Sequence, residues 1–242
     1  MPERQVRIVT YNTHGCVGTD RVHDPARIAD VIVESGADVV ALQELDRGRR
    51  RSGGSDHAAD IACRLEMSYH FAAVREVDDG HYGNAVISRW PVRVVHAGVL
   101  PGTELGREPR GALWAAVDVP DVGELQVITT HLGLGVRERR RQVDALLLEP
   151  WLGRSPRATV VCGDLNAHPW GRTCRRLGTC LRRASSRRLR PDATFPSRSP
   201  ILPIDHVFTS PDLEVVSVEV IATPLARRAS DHLPLAVTLR LG

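Results

Sequence analysis

Apolar residues along the chain alternate between short β-branched runs and stretches with helical spacing. Residues 6–11 and 38–42 are the first two such runs, and both have the length of buried strands. Between them, Asp24 and Pro25 provide an N-cap and a first helical position ahead of an amphipathic stretch. Gly36 is placed to end that helix. The pattern therefore predicts a strand–helix–strand unit at the start of the chain.

The remaining pattern contains two strand-rich regions separated by a long helix. The predicted helices lie at about 58–65, 136–148 and 172–181, and the predicted strands lie at 69–74, 84–88, 92–99, 113–119, 125–130, 159–162, 204–208, 213–220 and 235–239. Residues 182–203 are rich in Arg, Ser and Pro without a clear period, which predicts a long loop. Together the elements predict an α/β fold of one domain, residues 1–242: a four-layer α/β sandwich in which two packed mixed β-sheets are flanked by helices.

Composition narrows the possible chemistry more than charge does. The chain has 242 residues and a formal net charge of +3, and all 32 of its basic residues are Arg. Without Lys, a P-loop, a Schiff-base enzyme and a Ser-x-x-Lys hydrolase are all excluded, because each needs that amine. Clusters such as residues 139–141 and 187–188 are interpreted as solvated surface, with attraction of a phosphate-bearing partner as the alternative.

The cysteines and the apolar runs indicate the cellular compartment in which we expect the protein. Five cysteines form no C-x-x-C pair and are odd in number, so we expect free, reduced thiols. No run approaches the roughly 20 apolar residues of a membrane span, and no export signal is evident. We therefore expect a cytoplasmic protein with no stable membrane insertion.

Polar residues that strand stability does not require follow several predicted strands. At the ends of the earlier strands and beside the later ones stand Asn12, Glu44, His131, Asp164, Asn166, Asp205 with His206, and Asp231 with His232. If the later strands run opposite to the earlier ones, all of these groups meet at one edge of the fold. The sequence thus predicts a single polar site assembled from the whole chain.

Each of these residues has an ordinary explanation when it is considered alone. Glu44 could be a surface carboxylate, Asn12 could form a turn, and residues 164–166 could form an Asx-type turn. A lone histidine such as His131 is more often packed and hydrogen-bonded than catalytic. The combination and its order along the chain are what favour function.

Seven segments in a fixed order carry a resemblance to a known family. They are residues 10–12, 42–44, 83–89, 130–132, 163–167, 204–208 and 230–234. Gly-Asp-x-Asn and the terminal Ser-Asp-His are specific when Gln-Glu precedes them. The set resembles the motifs of the endonuclease/exonuclease/phosphatase superfamily of metal-dependent phosphoesterases, in its compact bacterial form, and it covers nearly the whole chain.

The resemblance implies a divalent metal held by oxygen ligands. Glu44 is the expected main ligand, Asn12 lies beside the ion directly or through water, and Asp231 adds negative charge near it. A single firmly bound carboxylate suits Mg²⁺, with Mn²⁺ as a second candidate. The family often has a carboxylate shortly after the asparagine, whereas Thr13 and His14 follow it here, so the number of ions stays open.

The resemblance also implies catalytic roles. Asp164 is expected to orient or deprotonate the attacking water, and Asn166, two residues on, is expected on the same face of an extended segment to fix the phosphate. His232 is expected to contact a phosphoryl oxygen while Asp205 holds its ring and favours its charged form. His131 is expected to donate a further hydrogen bond to the phosphate.

Two further residues are candidates for substrate binding. Asn84 lies in the third of the matching segments. Arg110 opens a predicted strand in the middle of the motif series, which makes it more attractive than the other arginines. Both are expected to shape the site around the phosphate.

Other classes of protein fit less well. A calcineurin-type phosphoesterase needs a later Gly-Asn-His-Asp/Glu segment, and a zinc hydrolase needs close histidines such as His-Glu-x-x-His; neither occurs. A non-catalytic phosphate-ligand binding protein of the same fold is a remaining alternative.

Within the family, the substrate is open. With 4% aromatic residues and none interleaved in the Arg182 to Arg190 run, the chain favours a small-molecule or lipid head group phosphoester. An endonuclease or exonuclease acting on DNA or RNA is the alternative.

Overall fold

Two six-stranded sheets make up the centre of the protein. The computed structural model describes residues 4–77, 79–102, 108–154, 157–186 and 192–241. The first sheet contains, in spatial order, β11 (Glu214–Val220), β12 (Leu235–Leu241), β1 (Arg4–Asn12), β2 (Val39–Arg47), β4 (Gly80–Ser88) and β3 (Ser68–Val77). The second contains β5 (Val92–Val99), β6 (Gly111–Val119), β7 (Gly123–His131), β8 (Thr159–Asp164), β10 (Asp205–Thr209) and β9 (Arg182–Arg183).

Both sheets are mixed, and each has one parallel pair. Strands β1 and β2 run parallel in the first sheet, and β7 and β8 run parallel in the second. A helix connects each pair, α1 (Pro25–Ser35) in the first case and α3 (Val136–Leu146) in the second. Because the carboxyl ends of parallel strands lie at the same edge, each pair delivers two strand ends to one place.

Helices cover the outer face of each sheet, so the fold has four layers. Alternate residues of β1 show how: Val6 and Ile8 belong to the core between the sheets, whereas Val9 and Tyr11 pack with the α1 residues. Helices α2 (His57–Leu65) and α5 (Pro224–Ala229) join α1 on that side. Helix α3 and α4 (Arg172–Leu177) cover the second sheet. The predicted four-layer α/β sandwich is confirmed.

Local signals account for several element boundaries. The Asp24 carboxylate accepts a hydrogen bond from the Arg27 backbone N–H at 3.0 Å, and Gly36 ends α1 with φ of 65°. Helix α4 stops at Leu177 rather than at the predicted residue 181, because Gly178 follows it. Helix α5 was missed, although Thr223 caps it and Pro224 is its first residue.

The segment predicted as one long loop, residues 182–203, is partly structured. Arg182 and Arg183 form β9 against β10, and Phe195 forms an isolated β-bridge with Leu202. Residues 187–191, which include two of the clustered arginines, lie outside the described residues. All five cysteines are free. In the described part of the chain, no helix has the length and apolar character that crossing a bilayer requires.

Candidate active site

Glu44 is aimed by an irregularity in its own strand. The register of β2 against β4 shifts between Leu42 and Leu45, and Glu44 has a left-handed backbone with φ of 62°. Such bulges redirect a side chain, and a left-handed glutamate costs backbone energy that the surroundings must offset. The carboxylate accepts a hydrogen bond from Asn12 Nδ2 at 2.9 Å.

Asn12 joins the two sheets at the site. Its Nδ2 also donates to Asp164 Oδ2, at 3.1 Å, so one amide connects the ends of β1, β2 and β8. Its Oδ1 accepts from the His14 backbone N–H at 3.1 Å. Both Asn12 and Asp164 are buried. The predicted meeting of the strand-end residues is confirmed at this point.

Gly163 lets β7 and β8 approach each other closely enough to place Asp164. Its φ is 144°, and a Cβ atom there would collide with the Thr130 carbonyl oxygen. Only glycine combines this backbone with such close contact. The glycine of the Gly-Asp-x-Asn motif is therefore required by sheet geometry.

His232 and Asp205 form a buried pair. His232 Nδ1 lies 2.8 Å from Asp205 Oδ2, which also accepts a hydrogen bond from Thr194 Oγ1 at 2.5 Å. Burial disfavours the charged imidazole, but the Asp205 carboxylate outweighs it, with Asp164 and Asp231 adding to the effect, and raises the pKa of His232 to about 10. A pKa of about 10 favours the imidazolium form of this ring at neutral pH.

His131 has the opposite electrostatic character. Its Nδ1 accepts from Arg110 at 3.0 Å, and its Nε2 lies 3.4 Å from Asp164 Oδ2. Burial, then the positive charges of Arg110 and His232, hold the pKa of His131 well below its ordinary value. Two histidines with opposed pKa shifts thus flank one carboxylate, an arrangement typical of acid–base sites.

Asp164 lies between these two rings. His232 Nε2 is 3.7 Å from its Oδ2, the same oxygen that His131 Nε2 approaches at 3.4 Å. Burial and then the nearby Asp205 charge raise the pKa of Asp164 above the usual range of a carboxyl. A carboxylate whose pKa is raised accepts a proton more readily at neutral pH.

Asn166 lies beside the candidate site, but its backbone conformation differs from the predicted one. The expectation of an extended segment is wrong, because β8 ends at Asp164 and Asn166 has a left-handed backbone with φ of 48°. Its N–H donates to Asp164 Oδ1 at 2.8 Å, so the chain makes an Asx turn. Its Nδ2 donates to the Leu132 carbonyl at 2.9 Å and lies 3.1 Å from His131 Nε2. The turn brings the amide beside His131.

Arg110 and Asn84 occupy neighbouring positions with different contacts. Arg110 binds His131 as described and lies 3.3 Å from Glu108 Oε2. Asn84 is buried and donates from Nδ2 to the Gly111 carbonyl at 3.1 Å, linking β4 to the start of β6. Its described contact is therefore with the backbone next to Arg110.

Asp231 lies at the outer side of the cluster. Its Oδ1 is 3.9 Å from His14 Nδ1 and 3.4 Å from Ser230 Oγ. The adjacent Ser230 hydroxyl donates to the Asn12 carbonyl at 2.8 Å, which fixes this loop against β1. His14, two residues after Asn12, thus faces Asp231.

The donor chemistry fits a hard divalent cation at Glu44. The Glu44 side chain is 23% exposed and lines a cavity of about 360 Å³, and Asn12 Nδ2 connects its carboxylate to that of Asp164. Carboxylate and amide oxygens are the ligands that Mg²⁺ prefers. Asp164, Asp205 and His232 also place possible ligand atoms within 4.8 Å of one another. We favour Glu44, because His232 would first have to lose a proton that Asp205 stabilises before it could coordinate a metal.

Two residues that line or support the candidate site are not predicted from the sequence. Glu108 lines both the cavity at Glu44 and a second cavity of about 540 Å³ at Arg110. Its position two residues before Arg110 is the only sequence signal for it. Thr194 supports Asp205, and a threonine in a segment predicted as a loop gives no sign of that contact.

A two-sheet sandwich with carboxylate, amide and histidine groups at the joined strand ends defines a known class of protein. The sequence model of the Endonuclease/Exonuclease/phosphatase family matches residues 9–232, and the chain belongs to this family.

Three similar proteins show how far the likeness extends. The uncharacterized protein YbhP of Escherichia coli strain K12 is 28% identical over 254 residues, covering 97% of this chain and 96% of that protein. An endonuclease/exonuclease/phosphatase from Beutenbergia cavernae DSM 12333 is 27% identical with a TM-score of 0.74, covering 99% of this chain and 72% of that one. The mannosyl-6-phosphatase Bt3783 of Bacteroides thetaiotaomicron VPI-5482, 20% identical, has the same fold, with a TM-score of 0.76 and coverage of 97% and 99%.

Proposed function

We propose that the chain is one catalytic domain that hydrolyses phosphoester bonds with a divalent metal, Mg²⁺ or Mn²⁺, in the cytoplasm, where its five free thiols would stay reduced. The observation that carries the proposal is the single hydrogen-bonded unit formed by Glu44, Asn12 and Asp164 at the meeting point of both sheets. A phosphate ester resists attack because its oxygens are negative, so the site must supply positive charge and an activated water.

In this proposal, Glu44, Asn12 and Asp231 hold the metal. When bound, the metal neutralises phosphate oxygens and assists the leaving oxygen. Glu44 is suited to this role because its carboxylate is partly exposed to the cavity while its backbone is fixed by the bulge.

The attacking water belongs to Asp164. Its raised pKa lets it take the proton of a water, and its two oxygens are oriented by Asn12 Nδ2 and the Asn166 N–H. The His232 imidazolium, held by Asp205, donates from Nε2 to a phosphoryl oxygen and stabilises the charge that develops there.

Neutral His131 and Arg110 also bind the phosphate. Arg110 donates to His131 Nδ1, which leaves the proton of this ring on Nε2, directed towards the site. Asn84 holds the backbone that carries Arg110.

The substrate we favour is a small-molecule or lipid head group phosphoester. The name mannosyl-6-phosphatase of the similar Bacteroides protein supports this class by analogy. Nucleic acid is the competing substrate, and the two are distinguished by direct comparison of hydrolysis rates on glycerophosphodiesters, sugar phosphates and single-stranded DNA.

The test of the activity is hydrolysis of bis-p-nitrophenyl phosphate and p-nitrophenyl phosphate with Mg²⁺. We expect turnover by the wild type and a loss of about 10³-fold or more in Asp164→Asn, which keeps the shape but cannot accept the proton. The matched control is Asp118→Asn, at an exposed position of β6, which should hydrolyse at the wild-type rate. No hydrolysis of any phosphoester by the wild type, together with phosphate binding, would favour the non-catalytic alternative.

A further inference from the structure

Large apolar side chains are exposed around the site on three separate loops. Leu134 follows β7 and is 71% exposed, Trp170 follows β8 and is 69% exposed, and Ile201 precedes β10 and is 71% exposed. These three strands are neighbours in the second sheet. Since β10 runs antiparallel to β8, all three loops leave the sheet at the edge that carries Asp164. We call Leu134, Trp170 and Ile201 the apolar rim.

The loops of the apolar rim are held in place by hydrogen bonds. The Leu134 carbonyl accepts from Arg139 at 2.6 Å, and the Ile201 N–H donates to the Phe195 carbonyl at 2.9 Å. The structure therefore keeps these side chains in water although each could be buried with a gain in free energy. Exposed apolar groups that cluster around a site mark a surface that contacts a partner.

A groove between α3 and α4 continues this surface with positive charge. The groove, a cavity of about 520 Å³, is lined by Arg137, Arg140, Arg172 and Arg176, which we call the arginine groove. It adjoins the apolar rim, because Arg137 lies three residues after Leu134 and Arg172 lies two after Trp170.

One carboxylate, Asp144, is among the described residues that line the groove. It lies 2.8 Å from Arg176 and 3.8 Å from Arg140. Among the residues that the structure describes, neither Arg137 nor Arg172 has an ion pair. The groove is thus left with uncompensated positive charge that suits a polyanionic partner.

We propose that the apolar rim and the arginine groove together dock the protein on the surface of an anionic lipid bilayer. The three rim side chains enter the boundary between head groups and acyl chains, where tryptophan is favoured, while the arginines pair with lipid phosphates. Leucine and isoleucine do not stack on bases, which argues against single-stranded nucleic acid as the partner. If the proposed phosphoesterase function holds, its substrate phosphate belongs to a lipid head group presented by that surface.

The fluorescence of one tryptophan makes docking directly measurable. The chain has four tryptophans, of which Trp90, Trp114 and Trp151 are 9%, 5% and 5% exposed, against 69% for Trp170. The protein is mixed, in EDTA to prevent turnover, with vesicles of equal parts phosphatidylglycerol and phosphatidylcholine or of phosphatidylcholine alone. We expect sedimentation with the anionic vesicles, weakened by added salt, and a blue shift of emission that Trp170→Phe removes.

Variants separate the two parts of the surface. Arg137→Gln with Arg172→Gln should weaken binding to the anionic vesicles by about 30-fold, roughly fivefold for each charge. Leu134→Ser with Ile201→Ser should weaken it by at least about tenfold. The controls are Leu148→Ser, an exposed leucine beyond the other end of α3, and Arg157→Gln, at the other end of β8; both should bind as the wild type does.

Several results would overturn the docking proposal. These are no binding to anionic vesicles at low salt, equal binding to neutral vesicles, variants that bind like the wild type, or binding of single-stranded DNA in place of vesicles. The outcome is separable from the proposed activity, because Asp164→Asn should bind vesicles normally. If the wild type binds vesicles but hydrolyses no phosphoester, the docking proposal is supported and the proposed function is wrong.

Discussion

The Asp205 carboxylate lies 2.8 Å from His232 Nδ1 and determines the state of that ring. Because Oδ2 also accepts from Thr194, the carboxylate cannot rotate away without losing two hydrogen bonds. The pair leaves His232 Nε2 free to face Asp164 at 3.7 Å. The Asp205 carboxylate therefore determines both the orientation and the charge of the His232 ring.

Replacing Asp205 with asparagine should change the charge of the His232 ring without disrupting the fold. Asparagine has the same shape, so Asp205→Asn is expected to fold, but without the Asp205 charge the pKa of His232 should fall well below that of the wild type. We expect kcat for a phosphodiester to fall by about 10²–10⁴-fold. NMR titration checks the cause: the ring should lose its proton near pH 10 in the wild type and at a clearly lower pH in the variant. An unchanged His232 titration would contradict this account.

The left-handed backbone of Glu44 predicts that two substitutions at this position differ in stability. At φ of 62°, glycine is favoured over alanine by about 1 kcal/mol, so Glu44→Gly should be more stable than Glu44→Ala by that amount. Both variants should lose hydrolysis, because both lack the carboxylate. Urea unfolding of the two variants measures the difference. Equal stabilities would show that the backbone at residue 44 relaxes without strain.

The close approach of β7 and β8 at Gly163 should make that glycine irreplaceable. Gly163→Ala is expected to destabilise the fold by about 3 kcal/mol or more, since its Cβ meets the Thr130 carbonyl. Gly123→Ala is the matched control, because Gly123 also has a positive φ, of 105°, but nothing lies within 4 Å of its Cβ position. Urea unfolding should therefore show a much smaller loss there. Equal losses would mean that conformation, not collision, is limiting.

Buried neutral histidines should make stability depend on pH. His57 accepts from the Asp46 N–H at Nδ1 and lies 2.8 Å from His23, and burial lowers its pKa to about 4. Between about pH 6.5 and 4 the unfolded chain binds a proton that the folded chain does not, so the contribution of His57 is present at neutral pH and is lost on acidification. From pH 7 to pH 5 this amounts to about 1–2 kcal/mol.

Comparing the wild type with a His57 variant separates the contribution of His57 to pH-dependent stability from those of the other titrating groups. The free energy of unfolding is measured in urea at both pH values for the wild type and for His57→Gln. The variant should lose less stability on acidification than the wild type, whereas His168→Gln, at an exposed position, should lose the same amount. A loss in His57→Gln equal to that of the wild type would contradict the prediction.

Much of the fold could be predicted because its determinants are local. The Asp24–Pro25 start and the Gly36 end of α1 are read from short-range signals, as is the two-residue period of the strands. The location of the candidate site could be predicted because the carboxyl ends of two paired parallel strands lie at the same edge of a sheet. His131 and Asp164 therefore meet once β7 and β8 are paired.

The details that could not be predicted depend on contacts between distant parts of the chain. Nothing around Glu44 in the sequence indicates a bulge, because the register shift is imposed by pairing with β4. The turn at Asn166 replaces the predicted extended segment because its N–H finds the Asp164 carboxylate. The support of Asp205 by Thr194 spans 11 positions through a segment with no periodic pattern.

The dependence of phosphodiester hydrolysis on Mg²⁺ in the wild type and in Glu44→Gln tests the central claim most directly. We predict that EDTA abolishes hydrolysis of bis-p-nitrophenyl phosphate by the wild type and that Mg²⁺ restores it with saturation. Glu44→Gln should need at least about tenfold more Mg²⁺ or show no turnover. Hydrolysis that persists in EDTA, or the same Mg²⁺ dependence in both proteins, would contradict a metal-dependent site built on Glu44.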